Sequence, residues 1–449
     1  MDKNSRYESI FRDQPVWKSI FSLAIPALLT IVVMIFYNLA DMFFIAQLGD
    51  ASKVASVSII SPVFGIIMAL GTMIGVGGST VISNAFGSGD LEKAKNVSSL
   101  CFFSAVALGV ILTAVLKAVK QPLLKVLGTK PEMWSDSETY LGILAAGTIF
   151  MLIPNMMGML IRSEGAVKEA LIGNMAGTVT NLILDPIFIL VFGWGVAGAA
   201  AATVIGNIVG TVYYIVYVSR HSTVTSLDPK RALAEPAAIF TVIALGIPNA
   251  LSTILSGFAS TFSNGLLTLH GTYAIAAAAA AGKSSMLISM VQMGICMGVQ
   301  PLMAYCYGSG NKKRLKETII KTGTLAGIVG LSTLVICFVF RSFIISLFLK
   351  DPAVASMGER YMMYVMAGAP FLGVVYISTN FMQAVERATG AIFTSLLRQG
   401  LLLIPLMYIL HPLLAFEGIA AAHMIADIGA AVISAILFAV EYRRTVVRA

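Results

Sequence analysis

The chain consists of long apolar runs separated by short polar loops. Most runs are at least as long as the roughly 20 apolar residues that one bilayer crossing requires. They do not show the alternation over about ten residues that marks the strands of a membrane β-barrel. The pattern predicts twelve transmembrane helices, over residues 17–45, 56–85, 98–116, 139–161, 169–192, 196–219, 236–267, 274–306, 318–347, 361–384, 391–415 and 417–440.

The basic residues are divided unequally between the two sets of loops. An even number of spans puts both termini on one side, and the loops on that side contain 19 of the 30 Lys and Arg residues, against eight on the other side. Basic loops stay in the cytoplasm. We therefore predict a multi-pass protein of the inner (cytoplasmic) membrane with both termini in the cytoplasm, the Lys-rich loop 117–130 being the discordant segment.

The two halves of the chain repeat each other. Residues 86–90 read Phe-Gly-Ser-Gly-Asp, and residues 307–311, which lie 221 positions later, read Tyr-Gly-Ser-Gly-Asn. Leu-Ala-Ile-Pro at 23–26 returns as Leu-Gly-Ile-Pro at 245–248, an offset of 222. Two similar bundles around a central site form a common architecture of secondary transporters.

The predicted fold is an all-α polytopic membrane protein. Each half holds six spans, so both halves have the same orientation and are related by a pseudo-twofold axis along the membrane normal. We predict an N-terminal six-helix lobe over residues 1–219, a cytoplasmic linker over 220–235 and a C-terminal six-helix lobe over 236–449.

Composition excludes several classes of protein. The chain is 57% apolar and 12% charged, whereas soluble domains are about 45–50% apolar and about 25% charged. The net charge of +8 resides in short loops, where it indicates topology and not nucleic-acid binding. Gly-Lys-Ser at 282–284 lacks the first glycine of a phosphate loop. We expect that the protein is not an enzyme and binds no cofactor. We expect an ion gradient to drive its transport.

Two carboxylates in the N-terminal half lie inside apolar spans. Ionisable groups in hydrocarbon are costly and are by default candidates for function. Asp41 lies in the first span; Asp185 lies in the fifth, four residues after Asn181 and on the same helix face, and it precedes Pro186. Thr203 follows in the sixth span. These hard oxygen ligands suit Na⁺ or a shared proton, although either aspartate could instead lie at an interface, capped by water.

The C-terminal half lacks acids at the matching positions. The region of Asp41 corresponds to Ser263 or Asn264, and Asp185 corresponds to Ile404, so we expect the coupling ion in the N-terminal lobe. Lys283 could face the cavity or extend outward, and we expect Arg398 to extend to the inner interface.

A few further side chains are weaker candidates. His423 and Asp427 form either a cavity-facing or a local pair. Possible adaptable apolar cavity residues are Met34, Met286 and Met290.

In these residues the chain resembles the multidrug and toxin extrusion (MATE) family, in its bacterial DinF-like branch. The resemblance covers nearly the whole chain. It includes the twelve spans, the two Gly-Ser-Gly loops and the Arg and Gly positions at the inner ends of spans 4 and 10. The residues that carry it are Pro26, Asp41, Arg162, Gly165, Asn181, Asp185, Pro186, Thr203, Arg387 and Gly390.

The resemblance implies an antiporter that exports hydrophobic, often cationic, compounds against H⁺ or Na⁺ by alternating access. By position, Asp41, Asn181, Asp185 and Thr203 match the coupling-ion site of the family, with Tyr37 and Asn155 as polar neighbours. In related members, protonation of the aspartate at the position of Asp41 is associated with a bend of the first span near the position of Pro26. The acids that another branch carries in spans 7 and 10 are missing here.

The main alternative is a flippase for lipid-linked precursors from the same superfamily. Such a protein needs several cavity cations to hold pyrophosphate, and the spans offer Lys283 and Arg398 at most. We expect a monomer in contact with membrane lipids and small amphipathic or cationic substrates, without nucleic-acid partners. The sequence decides neither the substrate nor H⁺ against Na⁺.

Overall fold

The computed structural model describes residues 9–447, and every regular element in that part of the chain is helical. The long helices are α1 (Val16–Ala46), α2 (Ala51–Ser88), α3 (Leu91–Ala118), α4 (Trp134–Ser163), α5 (Val167–Pro186), α6 (Gly195–His221), α7 (Ala238–Thr268), α8 (Thr272–Gly308), α9 (Lys312–Val339), α10 (Pro352–Ala384), α11 (Ala388–Leu396) and α12 (Ile404–Tyr442). Short helices occur at Lys120–Val126, Pro131–Met133, Pro229–Ala232 and Arg341–Ser346.

Eleven of the twelve predicted spans coincide with segments of the described chain that are apolar and long enough to cross a membrane; the eighth, 274–306, is helical as α8 but is not among these segments. Ten segments of the described chain are long and apolar enough to cross a membrane, and one of them, Ala388–Val446, covers both of the last two predicted spans. That segment reverses at Ala415, whose φ of 50° and ψ of −128° interrupt α12. The predicted boundary between 415 and 417 therefore coincides with a real break.

The predicted ninth span is divided in two. Helix α9 ends at Val339 and a short helix, Arg341–Ser346, follows Phe340. The guanidinium of Arg341 donates to the carbonyl of Phe338 at 3.0 Å and lies 5.3 Å from its ring centroid. A cation that binds the last carbonyls stabilises a helix end, which explains a stop that the apolar run alone does not reveal.

The repeated Gly-Ser-Gly loops are helix-to-helix joints. Gly89 and Gly310 have φ values of 82° and 67°, the left-handed conformation that ends a helix and that glycine adopts without strain. Directly afterwards, the side chains of Asp90 and Asn311 accept the backbone N–H groups of Lys93 and Arg314. Each motif therefore ends one span and caps the next.

Described residues form two compact units. The first comprises residues up to Gln14 together with Pro26–Gly246, and the second comprises Pro15–Ile25 and everything from Ile247 onward. In the first unit α4 packs against α2, α3, α5 and α6; in the second, α10 packs against α8, α9, α11 and α12. These two helices occupy equivalent places in the repeat. The lobe and linker boundaries at 219 and 235 stay predictions.

The prolines of the repeated Ile-Pro motif lie at the divisions between the units. Helix α1 changes unit between Ile25 and Pro26, and α7 changes unit between Gly246 and Ile247, which precedes Pro248. Proline lacks the backbone N–H that an uninterrupted helix requires. One turn after Pro26, the Thr30 hydroxyl donates a hydrogen bond to the Pro26 carbonyl at 2.9 Å.

The predicted linker is fixed to the first unit. Ser226 N donates to Ser98 Oγ at 2.8 Å, and Arg231 Nη1 forms an ion pair with Glu92 Oε2 at 2.6 Å. Both partners are on α3, so this polar segment is an ordered part of its unit.

Candidate functional site

The polar site of the first unit is made where α5 and α6 cross. Added Cβ atoms at Gly177 and Gly206 would lie 2.8 and 2.6 Å from the carbonyl oxygen of the other glycine, so only glycine permits this approach. The close crossing brings Asn181 of α5 beside Thr203 of α6. Small residues allow helices in membranes to pack at such short distances.

A short chain of hydrogen bonds connects three helices at this crossing. Asn181 Nδ2 donates to Asp185 Oδ1 at 3.3 Å and to Thr203 Oγ1 at 3.4 Å. The Thr203 hydroxyl lies 3.3 Å from Tyr37 Oη of α1. The structure therefore joins four of the residues that the sequence predicted: Tyr37, Asn181, Asp185 and Thr203.

Three buried oxygens at the site accept no hydrogen bond from any residue that the structure describes. They are Asp41 Oδ1, Asn181 Oδ1 and Asp185 Oδ2. Asp185 is fully buried and Asn181 is 3% exposed, so water does not compensate these atoms from the bulk. A buried acceptor without a partner costs roughly 1–3 kcal/mol, and more when it is charged. Oxygens of this kind are the ligands of a hard cation or the acceptors of a proton.

The site is also electrostatically unbalanced. Asp41 of α1 and Asp185 of α5 each contribute a carboxylate to this part of the first unit, and each has a buried oxygen without a donor among the described residues. Like charges that share a site favour the uptake of a proton by one of them, and a cation between them relieves the same repulsion. Carboxylate, amide and hydroxyl oxygens of this kind are chemically suited to a proton or to a hard cation, and their chemistry does not discriminate between the two.

Asp185 lies at a change of helical register. Pro186 cannot donate to the carbonyl of Leu182, and the chain continues as a π-helix over Ile187–Val191. A second π-helix, Leu397–Leu403, occupies the equivalent span of the other unit. Single π turns within α-helices occur frequently at functional sites.

The remaining predicted residues lie outside this hydrogen-bonded chain. Asn155 Nδ2 donates to Met68 O at 2.8 Å and to Thr72 Oγ1 at 2.9 Å, and so connects α4 to α2. The Lys283 ammonium lies 5.9 Å from the ring centroid of Phe348. Of the candidate cavity methionines, Met34 and Met286 are exposed and Met290 is half-buried.

The expectation for Arg398 is wrong. Its Nε lies 2.6 Å from Asp427 Oδ1, and the two side chains are 19% and 5% exposed, so Arg398 is paired within the second unit and does not extend to an interface. Asp427 therefore pairs with an arginine of the preceding predicted span. Opposite charges in adjacent apolar spans were the available signal, because intramembrane charges usually pair with one another.

Comparison with known proteins identifies the family of this chain. The MatE family profile matches the chain twice, over residues 26–187 and 248–409. This chain belongs to the MatE family. The two matches begin 222 residues apart, which is the offset of the repeated motifs and confirms the duplication.

Similar proteins align with nearly the whole length of this MatE-family chain. "Multidrug export protein MepA" of Staphylococcus aureus strain N315 is 30% identical over 417 residues, covering 93% of this chain and 92% of the relative. A protein of the same name in Staphylococcus saprophyticus is 29% identical over 418 residues, with the same coverage. The expectation of a transporter and not an enzyme is confirmed by these relatives.

Solved structures confirm the fold. The crystal structure of MATE in the bent conformation aligns with a TM-score of 0.92 at 22% identity and covers 98% of both chains. The outward-facing structure of a multidrug resistance MATE family transporter of the MOP superfamily aligns with a TM-score of 0.91, also at 22% identity, over 97% of this chain and 98% of that one. The all-α, twelve-span membrane architecture is therefore established.

Proposed function

We propose that this MatE-family protein is a multidrug exporter of the cytoplasmic membrane that exchanges hydrophobic or cationic compounds for H⁺ or Na⁺. Support for the substrate class comes from the relatives, which are named multidrug export proteins. Support for ion coupling comes from the polar site of the first unit. In this proposal the substrate leaves the cytoplasm or inner leaflet, and export proceeds by alternating access.

The three buried oxygens without donors are the observation that carries ion coupling. Asp41 Oδ1, Asn181 Oδ1 and Asp185 Oδ2 lie on two helices, and within the described part of the chain they have no hydrogen-bond partner. Binding a cation or a proton there lowers the energy of the conformation that holds these oxygens together. Coupling requires that ion and substrate favour different conformations or displace each other. The ion would stabilise the conformation in which these oxygens lie together. Coupling follows if the substrate stabilises a different conformation.

In the second unit, the positive charge that balances a buried carboxylate comes from the protein itself. Asp427 has a permanent partner in Arg398 at 2.6 Å, whereas Asp41 and Asp185 form no ion pair with any of the described residues. A carboxylate that a guanidinium already neutralises has little need for a transported cation. We therefore assign the coupling ion to Asp41, Asn181, Asp185 and Thr203 of the first unit.

Lys283 and Arg398, the two cations that a flippase would need in its cavity, have other contacts. Pyrophosphate of a lipid-linked precursor requires several cavity cations, and the spans offer Lys283 and Arg398. Arg398 pairs with Asp427, and Lys283 lies over Phe348. These contacts favour the exporter over the flippase.

Reconstituted protein tests the proposal. Purified protein in liposomes would be given a pH gradient and a Na⁺ gradient in separate experiments, with ethidium as the lipophilic cation. We expect dye movement against its own gradient under one of them, which identifies the coupling ion. A flippase would instead move a fluorescent lipid-linked pyrophosphate under conditions in which ethidium and other lipophilic cations stay in place, and that result would overturn the proposal.

A further inference from the structure

Two histidines face each other at one end of the second unit. His270 lies in the turn between α7 and α8, and His411 lies in α12 just before its break at Ala415. Their Nε2 atoms are 2.9 Å apart, although 141 residues separate them in the sequence. This end of the unit is opposite to the Gly-Ser-Gly loop, since α8 runs from one to the other. Neither histidine takes part in the proposed coupling-ion site.

The contact holds only one hydrogen between two nitrogens. If both rings are neutral, one Nε2 donates and the other accepts, so the two rings are different tautomers. The accepting nitrogen already directs its lone pair at the partner. The donating nitrogen would do the same if its hydrogen moved to Nδ1 of the same ring. Two imidazole lone pairs would then converge on one point.

The surroundings hold the His270 ring in place. Phe416 packs edge-on against His270 at 6.4 Å between centroids, and Tyr361 packs against Phe416 at 5.3 Å. His270 N donates to Leu267 O at 3.0 Å within its turn. Both histidines are half-buried, which leaves one side of the pair accessible from solvent.

The nearby acidic residue has its own partner. Glu417, two positions after Ala415, pairs with Arg360 at 3.3 Å. In the described residues, a cluster of three or more His, Cys, Asp or Glu side chains suited to a metal is not found. A ligand at this place would therefore be held by the two imidazoles, with water or a small anion in its remaining positions.

We propose that His270 and His411 bind a transition-metal dication such as Zn²⁺, Ni²⁺ or Cu²⁺ between their Nε2 atoms. Imidazole suits these metals, whereas Mg²⁺ and Ca²⁺ require oxygen ligands. Zn–N bonds of about 2.0–2.1 Å in tetrahedral geometry place two nitrogens roughly 3.3 Å apart, so the pair needs to open by only a few tenths of an ångström. From the neutral pair, binding shifts one ring to the Nδ1–H tautomer and releases no proton.

A metal at this site would join two turns of the second unit. It would connect the α7–α8 turn to the segment just before Ala415. The structure already brings these two segments together through the contact between His270 and His411. Because only the folded protein holds the two rings together, metal binding should raise its thermal stability. The site does not rest on the exporter proposal.

The test is a metal titration of purified protein that carries a histidine-free affinity tag. After treatment with a chelator and its removal, the thermal unfolding midpoint would be measured in detergent with Zn²⁺, Ni²⁺ or Mg²⁺. We expect Zn²⁺ and Ni²⁺ to raise the midpoint by roughly 2–5 °C and Mg²⁺ to leave it unchanged. His270→Gln and His411→Gln should each lose the rise, whereas the control His221→Gln, at the end of α6, should keep it.

A spectroscopic measurement covers the case in which a variant is less stable. Cu²⁺ bound to the unaltered protein should show an electron paramagnetic resonance spectrum with two imidazole nitrogens, and either glutamine variant should show fewer. An unchanged midpoint in the unaltered protein, or an equal rise in the His270→Gln/His411→Gln double variant, would overturn the assignment. The pair would then be a hydrogen bond alone.

Discussion

Single charged residues inside the apolar helices fall into two groups. Asp41 and Asp185 contribute to a site whose buried oxygens lack donors, whereas Asp427 is neutralised by Arg398. The sequence revealed every one of these charges, because each interrupts an apolar run. It did not reveal the Arg398–Asp427 contact, since a side chain's reach to another helix depends on how the helices pack. The same limit applies to Asn155, which bonds to α2 and lies outside the hydrogen-bonded chain.

Removing Arg398 should be more harmful than removing both charges. The variant Arg398→Met leaves a buried carboxylate without its cation, and breaking a buried pair in this way costs about 3–5 kcal/mol. The double variant Arg398→Met/Asp427→Asn removes the charge as well and should recover most of the loss. Thermal unfolding in detergent would measure both variants. Equal stability of the single and double variants would show that Asp427 does not depend on Arg398.

At the scale of elements, glycines decide where helices approach. An added Cβ at Gly246 of α7 would lie 1.9 Å from the carbonyl oxygen of Met73 on α2, and one at Gly77 would lie 1.8 Å from that of Val242. These reciprocal positions bring α2 and the start of α7 together in the first unit. The sequence shows glycine at position 246 within a repeated motif, but it does not show which helix lies against it.

Gly246→Ala should therefore destabilise the protein. A methyl group at that distance forces the two backbones apart, and overpacking of this kind costs about 1–3 kcal/mol. Gly257→Ala on the same helix is the matched control, because nothing lies within 4 Å of its added Cβ and alanine favours a helix. The unfolding midpoints of both variants test this. A Gly246→Ala variant as stable as the control would refute the close crossing.

A buried glutamate joins the end of α4 to the predicted linker. Glu164 accepts from Tyr217 Oη at 2.8 Å, from Ser222 Oγ at 2.5 Å and from Thr225 Oγ1 at 3.3 Å. It is 4% exposed and lies between α4 and α5, outside the membrane-spanning segments. Burial raises the pKa of Glu164 above its ordinary 4.5, and the three hydroxyl donors oppose that rise.

The sign of this pKa shift predicts a pH dependence. Because the folded protein binds the Glu164 proton more tightly, its stabilising contribution is present below pH 4.5 and is lost as the pH rises through the raised pKa. Glu164→Gln should therefore gain stability relative to the unaltered protein as the pH rises. Unfolding midpoints at a series of pH values measure the difference.

An exposed glutamate supplies a control of opposite sign. Arg231 lowers the pKa of Glu92, so Glu92→Gln should lose stability relative to the unaltered protein as the pH rises from below 4.5. Parallel pH curves for Glu164→Gln and the unaltered protein would contradict the prediction. If the stability of Glu164→Gln rises with pH relative to the unaltered protein while that of Glu92→Gln falls, the pH dependence at Glu164 results from its burial.

For the whole molecule, the duplication was the most predictable feature. The offset of 222 between the Ile-Pro motifs is also the offset between the two matches to the family profile. The approximate positions of the spans followed from the apolar runs, whereas the end of α9 at Val339 did not. The exchange of helix starts between the two compact units was not predictable. Residues 15–25 and 238–246 read as ordinary beginnings of spans, and only their packing assigns each of them to the unit of the other half.

The site was predictable in its residues and not in its geometry. The sequence identifies Asp41, Asn181, Asp185 and Thr203 because they are polar groups in apolar spans, and Asn181 and Asp185 share a helix face. The crossing at Gly177 and Gly206 that brings Asn181 to Thr203 depends on the packing of α5 against α6.

The central claim is that the carboxylates of the first unit carry the coupling ion. The most direct test compares ion-driven ethidium transport in proteoliposomes of Asp41→Asn, Asp185→Asn and the control Asp90→Asn, which lies outside the membrane and keeps a helix-capping side chain. We expect both intramembrane variants to fold, to bind ethidium and to lose gradient-driven transport, while Asp90→Asn retains it. Undiminished gradient-driven transport by Asp41→Asn and Asp185→Asn would contradict the assignment of the coupling ion to this site.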